Sequence, residues 1–145
     1  MDKQEFEEFL HSKIPITKAM GITVIEFTKS RVKLSAQIEP NINDKLTAFG
    51  GSINALMTIC GWAMTFINIK DVDNDVKIVI HKSNITYMAP INEDFIAECS
   101  LEHNESVEFI ENYKKYNKAR LNLKVFCGKK GRIFVKYEGE YVAFK

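Results

Sequence analysis

Apolar residues along the chain switch between two periods. In residues 3–11, Phe6, Phe9 and Leu10 share one helical face. A short helical turn follows over Pro15–Met20, with Pro15 at its first position and Gly21 ending it. From Ile22 the period becomes two: Ile22 and Val24, then Val32, Leu34, Ala36 and Ile38, with Lys29–Ser30 as the turn between two strands. The polar stretch Pro40–Thr47 reads as a loop. A long apolar segment, 49–69, has helical length, and 71–75 is a second loop. Residues 76–90 are rich in β-formers up to Pro90, and 95–102 form a further strand. Residues 105–117 suit an amphipathic helix with Val107, Ile110 and Tyr113 on one side. Residues 119–128 and 132–144 make a hairpin across Gly-Lys-Lys-Gly.

The order is two strands, one long helix, then four β segments, two of them joined by a short helix. Residues 52–69 hold no charge, no Pro and only one Gly, so the long helix must be buried on nearly all sides. A sheet curled around one helix meets that need, which predicts an α+β hotdog fold in a single domain over 1–145, with an N-terminal helical segment at 1–20. One wrapped sheet leaves an open edge, and pairing with a second copy closes it, so a homodimer is expected, with a dimer of dimers open beyond it.

Charge is nearly balanced at +1 but unevenly placed. Asp2, Glu5, Glu7 and Glu8 crowd the start, whereas residues 112–137 carry no acid and nine basic side chains. The stretch is either a solvated lysine face or a surface for an acidic partner. Cys60, Cys99 and Cys127 show neither CxxC nor metal spacing and read as reduced packing residues of a cytoplasmic protein. The acidic opening is not a signal peptide, and no run reads as a membrane span; the 48–69 segment comes nearest, interrupted by Ser, Asn, Thr and Gly.

Two adjacent glycines, Gly50 and Gly51, open the apolar helix. Such a pair leaves backbone amides open to close approach. Together with "IPITKAMGI" (14–22), "PNINDKLTAFGGS" (40–52), "GW" (61–62) and "SNITYMAPINEDFIAEC" (83–99), it resembles the thioesterase-like YiiD C-terminal family. The acyltransferase domain that some relatives carry in front has no counterpart in these residues. The resemblance implies decarboxylation of malonyl-acyl carrier protein (ACP) to acetyl-ACP for the start of fatty acid synthesis, with no cofactor beyond the substrate's phosphopantetheine. Older naming of the family implies thioester hydrolysis instead.

Many hotdog thioesterases place His-Gly-Gly at the helix start and an acid two turns on. Here Phe49 stands at the His position and Thr58 at the acid position. Hydrolysis needs a base or nucleophile, and the only titratable residue in 48–69 is Cys60. Decarboxylation needs donors for an enolate oxygen, which the amides of Gly50 and Gly51 can supply. Asn43 is the first candidate to hold the departing carboxylate, with Asn41 and Asn54 behind it. A non-catalytic acyl-thioester binder stays open as a third reading.

Each candidate has a structural alternative. Gly50–Gly51 would also suit a tight loop-to-helix entry. Asn43 suits an Asx turn. Thr47 and Ser52 suit helix caps, the favoured reading for Thr47. Asn54 would face a second subunit, Thr58 would pack, and Ser83 or its neighbour Asn84 would line the partner's site. Trp62 reads as core. His11, His81 and His103 have no evident carboxylate partner and read as non-catalytic, and no metal site is expected. "KGRIFVKY" (130–137) superficially matches an RNA-recognition strand, but Arg132 replaces its stacking aromatic and the element order is wrong, so no nucleic acid is expected. Lys129, Lys130 and Arg132 are instead candidates for docking an acidic carrier, with coenzyme A thioesters as the other substrate form.

Overall fold

A computed structural model describes residues 1–145. Helix α1 (Lys3–Lys13) begins at a capping box: the Asp2 carboxylate accepts from Glu5 N at 2.8 Å, and Glu5 accepts from Asp2 N at 3.2 Å. Its apolar face buries Phe6 and Leu10 completely. The chain then makes one short helix, α2 (Ile16–Ala19), and Gly21 ends it with φ +66°. Pro15 precedes that helix as its N-cap.

Six strands form one antiparallel sheet: β1 (Thr23–Phe27), β2 (Arg31–Ala36), β3 (Lys77–Tyr87), β4 (Phe95–Ser100), β5 (Lys118–Lys129) and β6 (Arg132–Phe144), in spatial order β1-β2-β4-β5-β6-β3. Alternation works as expected on β5, where Ala119, Leu121, Leu123, Val125 and Cys127 point inward and Arg120, Asn122, Lys124 and Phe126 point outward. The β5–β6 connection is the two-residue turn Lys130–Gly131. Both residues have positive φ, 50° and 79°, the geometry that matches strand twist.

The sheet wraps helix α3 (Gly50–Ile69), which buries Leu56, Met57, Cys60, Ala63, Met64 and Ile69 almost entirely. Against the sequence expectation, this helix is long and apolar enough to cross a membrane by length and composition. Two thirds of its most apolar window is buried by the protein's own sheet, which accounts for the apolarity. Trp62 is only half-buried and stacks on Phe66 at 5.1 Å and Phe9 at 6.5 Å, at the rim of the core under α1.

Helix α4 (His103–Tyr116) buries Ser106, Phe109 and Tyr113, not the expected Val107. A buried polar contact sets that face. Ser106 Oγ donates to Asn68 Oδ1 at 2.6 Å, and Asn68 Nδ2 donates to Met64 O and Lys29 O. Tyr113 OH reaches Asp73 at 2.5 Å, tying α4 to the loop after α3. Burial and that carboxylate push the Tyr113 phenol up to about 12.

Edge strand β3 pairs only with β6. Val79, Ile80 and Tyr87 on it are exposed. A bulge between Ile80 and Lys82 swings His81 over to Glu140, with Nδ1 2.6 Å from Oε2. The sequence reading gave His81 no carboxylate partner; the register of β3 on β6 supplies one 59 positions away. Arg120 stands 3.6 Å from the other Glu140 oxygen. The His81 hydrogen bond first, then Lys82 and Arg120, hold the Glu140 carboxyl below its ordinary range. A depressed carboxyl stabilises the fold above its unfolded pKa and stops doing so as pH falls through the folded one. Glu140→Gln is therefore expected to lower Tm at pH 7, with the gap to wild type closing below about pH 4. Thermal melts of both proteins across pH 2.5–7 check this; a gap that stays constant would refute it.

Candidate functional site

The N-terminus of α3 is open. Phe49 is its N-cap, and no side chain caps the helix. The Phe49 amide is spent on Asn41 O and the Ala48 amide on Ile91 O. The next amide to find a partner is that of Ile53, bonded to Phe49 O. The amides of Gly50, Gly51 and Ser52 thus have no protein acceptor and point out of the helix end, where the dipole is positive.

Loop 43–47 presents this helix end, and Asn43 organises the loop. Its Oδ1 accepts from Lys45 N at 2.9 Å and Thr47 N at 3.1 Å, and its Nδ2 donates to Thr47 Oγ1 at 2.9 Å. Asn43 N also donates to Thr47 O. This is the Asx arrangement weighed as its structural alternative, and it leaves one side-chain N–H uncommitted. Thr47 is not the helix cap the sequence suggested, because Asn43 engages both its amide and its hydroxyl and the N-cap, Phe49, lies two residues later. Leu46, at the loop tip, is 71% exposed and sits at φ +64°, a strained conformation for a leucine.

Asn41 has a different place. It is 3% exposed, and its Nδ2 donates to Met20 O and Gln37 O. Those bonds join the α2 end to the loop and use both donors of the amide group, so Asn41 has no N–H left for a ligand.

A cavity of about 330 Å³ opens beside the helix end, lined by Ala48, Gly50, Ile53, Tyr87, Met88, Ala89, Pro90 and Ile91. Tyr87 is the residue sequence reasoning missed. It lies 37 positions from Gly50, its hydroxyl donates to Gly50 O at 2.8 Å, and its ring lies 3.6 Å from where a Cβ on Gly50 would stand. Partial burial raises its phenol pKa, so it stands protonated at neutral pH. No carboxylate, histidine or cysteine lines this cavity. Met88 in its lining is exposed, as are Leu46 and Phe49 in the segment that leads into α3.

Deeper along the helix, Thr58 Oγ1 donates to Asn54 O at 2.8 Å and receives Tyr137 OH at 3.4 Å. Tyr141 OH donates to Thr58 O at 2.7 Å. Thr58 is thus committed to packing α3 on β6. Asn54 Oδ1 is buried with no donor anywhere in the chain. Burial pushes the Cys60 thiol well above its usual range and Cys99 up to about 12, so neither is a thiolate nucleophile. Ser83 lies mid-strand on β3, beside Asn84 and across from Gly139, away from the helix end of its own chain. Lys129, Lys130 and Arg132 sit at the β5–β6 turn, outside this cavity, though Phe134 of the same strand bonds Met88 and Ala89 at its wall.

The fold recurs in solved proteins. A protein of unknown function from Chlorobaculum tepidum is 26% identical over 99% of this chain and 94% of that one, with a TM-score of 0.91. A "putative thioesterase" from Shewanella oneidensis is 27% identical, covering 99% and 97% of the two chains, at a TM-score of 0.83. A "probable thioesterase" from Pseudomonas aeruginosa, 17% identical over 97% and 95%, superposes at 0.83 and shares the hotdog fold. The family described as "Putative thioesterase (yiiD_Cterm)" matches residues 3–145, and with nearly every residue inside that match, the chain belongs to the thioesterase-like YiiD C-terminal family.

Proposed function

We propose that this protein decarboxylates a malonyl thioester on acyl carrier protein, giving the acetyl thioester that starts fatty acid synthesis. One observation carries the reading: three amides without a protein acceptor stand at the end of α3, and the cavity beside them, which Gly50 lines, holds no base and no nucleophile. Hydrolysis would need water activated there. Decarboxylation needs none. The bond between C2 and the carboxylate breaks, CO2 leaves, and the electron pair passes onto the thioester oxygen. Gly50 and Gly51 N–H groups donate to that oxygen, an effect worth about 3 kcal/mol per donor. The remaining Asn43 N–H holds the carboxylate out of the thioester plane. Tyr87, turning its hydroxyl from Gly50 O, then gives its proton to C2 and recovers one from water. No metal or cofactor takes part.

The site belongs in a homodimer. Edge strand β3 offers unpaired backbone groups and exposed Val79 and Ile80, and Asn54 Oδ1 lacks a donor in its own chain. Pairing β3 with its copy would bring the partner's central β3 residues, Ser83 among them, toward the second helix. Three unpaired thiols suit a reducing cytoplasm.

The second reading is a thioesterase with an unusual site, favoured by the family description and by the name given to the Shewanella protein. Malonyl-ACP incubated with the protein and read by intact mass separates them. Loss of one CO2 with the carrier still acylated supports decarboxylation, and Tyr87→Phe should then slow it about a hundredfold. Free holo-ACP supports hydrolysis. Unchanged malonyl-ACP that nevertheless raises Tm supports a binder.

A further inference from the structure

Three cavities adjoin at one end of the sheet. The first is the cavity beside Gly50. It shares Ile91 with a narrow one of about 130 Å³ walled by Phe95, Ile96, Cys127 and Phe134. That one shares Ile96, Gly128 and Lys129 with an open groove of about 800 Å³ on the outer face of the sheet. Its floor is apolar: Ile96, Phe126 and Ile133, on three neighbouring strands, are 40%, 37% and 38% exposed. Its rim is basic, with Lys33, Lys124, Lys129, Lys130 and Arg132 against one acid, Glu98. Glu98 is already held by Arg31 at 2.6 Å and Lys33 at 3.8 Å, and Lys129 by Glu93 at 2.7 Å. Lys124, Lys130 and Arg132 have no carboxylate within ion-pair distance.

We propose that this groove docks an acidic amphipathic helix of the protein that carries the acyl thioester, with the pantetheine arm running through the narrow cavity to Gly50. The proposal rests on the reading that the substrate is carrier-borne, and it holds for either reaction at the thioester. Three apolar side chains spread over three strands span roughly 10 Å, the breadth of a helix face. Unpaired cations around them complement acids flanking that face. A second copy is the poorer occupant. A two-fold contact would set Lys124, Lys130 and Arg132 against themselves.

The test uses the full-length protein and a Lys124→Glu/Lys130→Glu/Arg132→Glu variant. Labelled holo-ACP is titrated by fluorescence anisotropy at low salt, which reads docking without any chemistry. The variant should bind at least about tenfold more weakly, and wild-type binding should weaken as salt rises. Phe126→Ser should weaken it with the charges intact. Turnover of a malonyl pantetheine thioester, which has no carrier, should be unchanged in both variants. Equal ACP binding by wild type and the triple variant would overturn the proposal. So would a matching loss for malonyl-CoA, which would make the groove a nucleotide site, or a changed oligomeric mass, which would make it an interface between copies. A wild type that binds ACP through these residues but leaves malonyl-ACP whole would keep the docking groove and refute decarboxylation. A wild type that binds no ACP refutes the groove itself.

Discussion

Replacing Asn43 by Ala is expected to lower malonyl-ACP turnover by about a hundred- to a thousandfold, the usual effect of losing one donor to a developing charge. Two routes lead to that loss. Alanine removes the spare N–H that the proposed mechanism sets against the carboxylate. It also removes the acceptor that gathers Lys45 N and Thr47 N, and so loosens the loop leading into Gly50. Asn43→Asp separates the two. Aspartate keeps both acceptor bonds but has no side-chain N–H, and its charge repels the substrate carboxylate. If Asn43 acts on substrate, the Asp variant is as slow as the Ala variant while its Tm stays near wild type. Wild-type turnover in Asn43→Asp would leave Asn43 as loop scaffold only. Initial rates by intact mass, paired with thermal melts of the three proteins, give the answer.

The largest stability effect is expected at Gly61. A Cβ there would run into the ring and hydroxyl of Tyr141. Tyr141 cannot step aside. It is fully buried, its hydroxyl donates to Thr58 O, and Tyr137 OH lies 2.9 Å from it. Overpacking of this kind costs about 3 kcal/mol, so Gly61→Ala should lower Tm by roughly 10 °C in a chain of this size. Tyr141→Leu leaves room for the methyl group. The double variant should then be more stable than the sum of the two single losses predicts. Additive losses in that cycle would show that the collision is not the cause.

The same side chains show what the sequence disclosed and what it withheld. Alternation on β5 and β6 fixes which residues face α3, because a strand has only two faces. The Gly50–Gly51 pair marked the open helix end, since few other sequences leave amides so accessible. Tyr87 was invisible for a different reason. Its contact with Gly50 depends on the register of β3 along β6 and on the passage of α3 beneath it, both long-range facts. The His81–Glu140 pair was hidden in the same way, behind a bulge that no local pattern announces. The α4 face was misread by one position because Ser106, a polar residue, turns inward to Asn68. Thr47 looked like a cap because Thr commonly is one, yet Asn43 claims it first. Asn41 belongs to the same family block as Asn43, and only its burial shows that it holds the backbone together.

The strand order has a bearing on synthesis. Strand β3 finds its only neighbour in β6, the last of the six strands in chain order, and β6 also supplies the tyrosines that cover α3. Until residues 132–144 are made, the most apolar helix of the protein lacks the cover that β6 and its partner strand β3 provide. Pairings between distant segments of this kind form late and leave sticky surface exposed meanwhile. A chain stopped short of residue 132 is therefore expected to leave α3 exposed and to aggregate, and completing the C-terminal hairpin is expected to end that exposure.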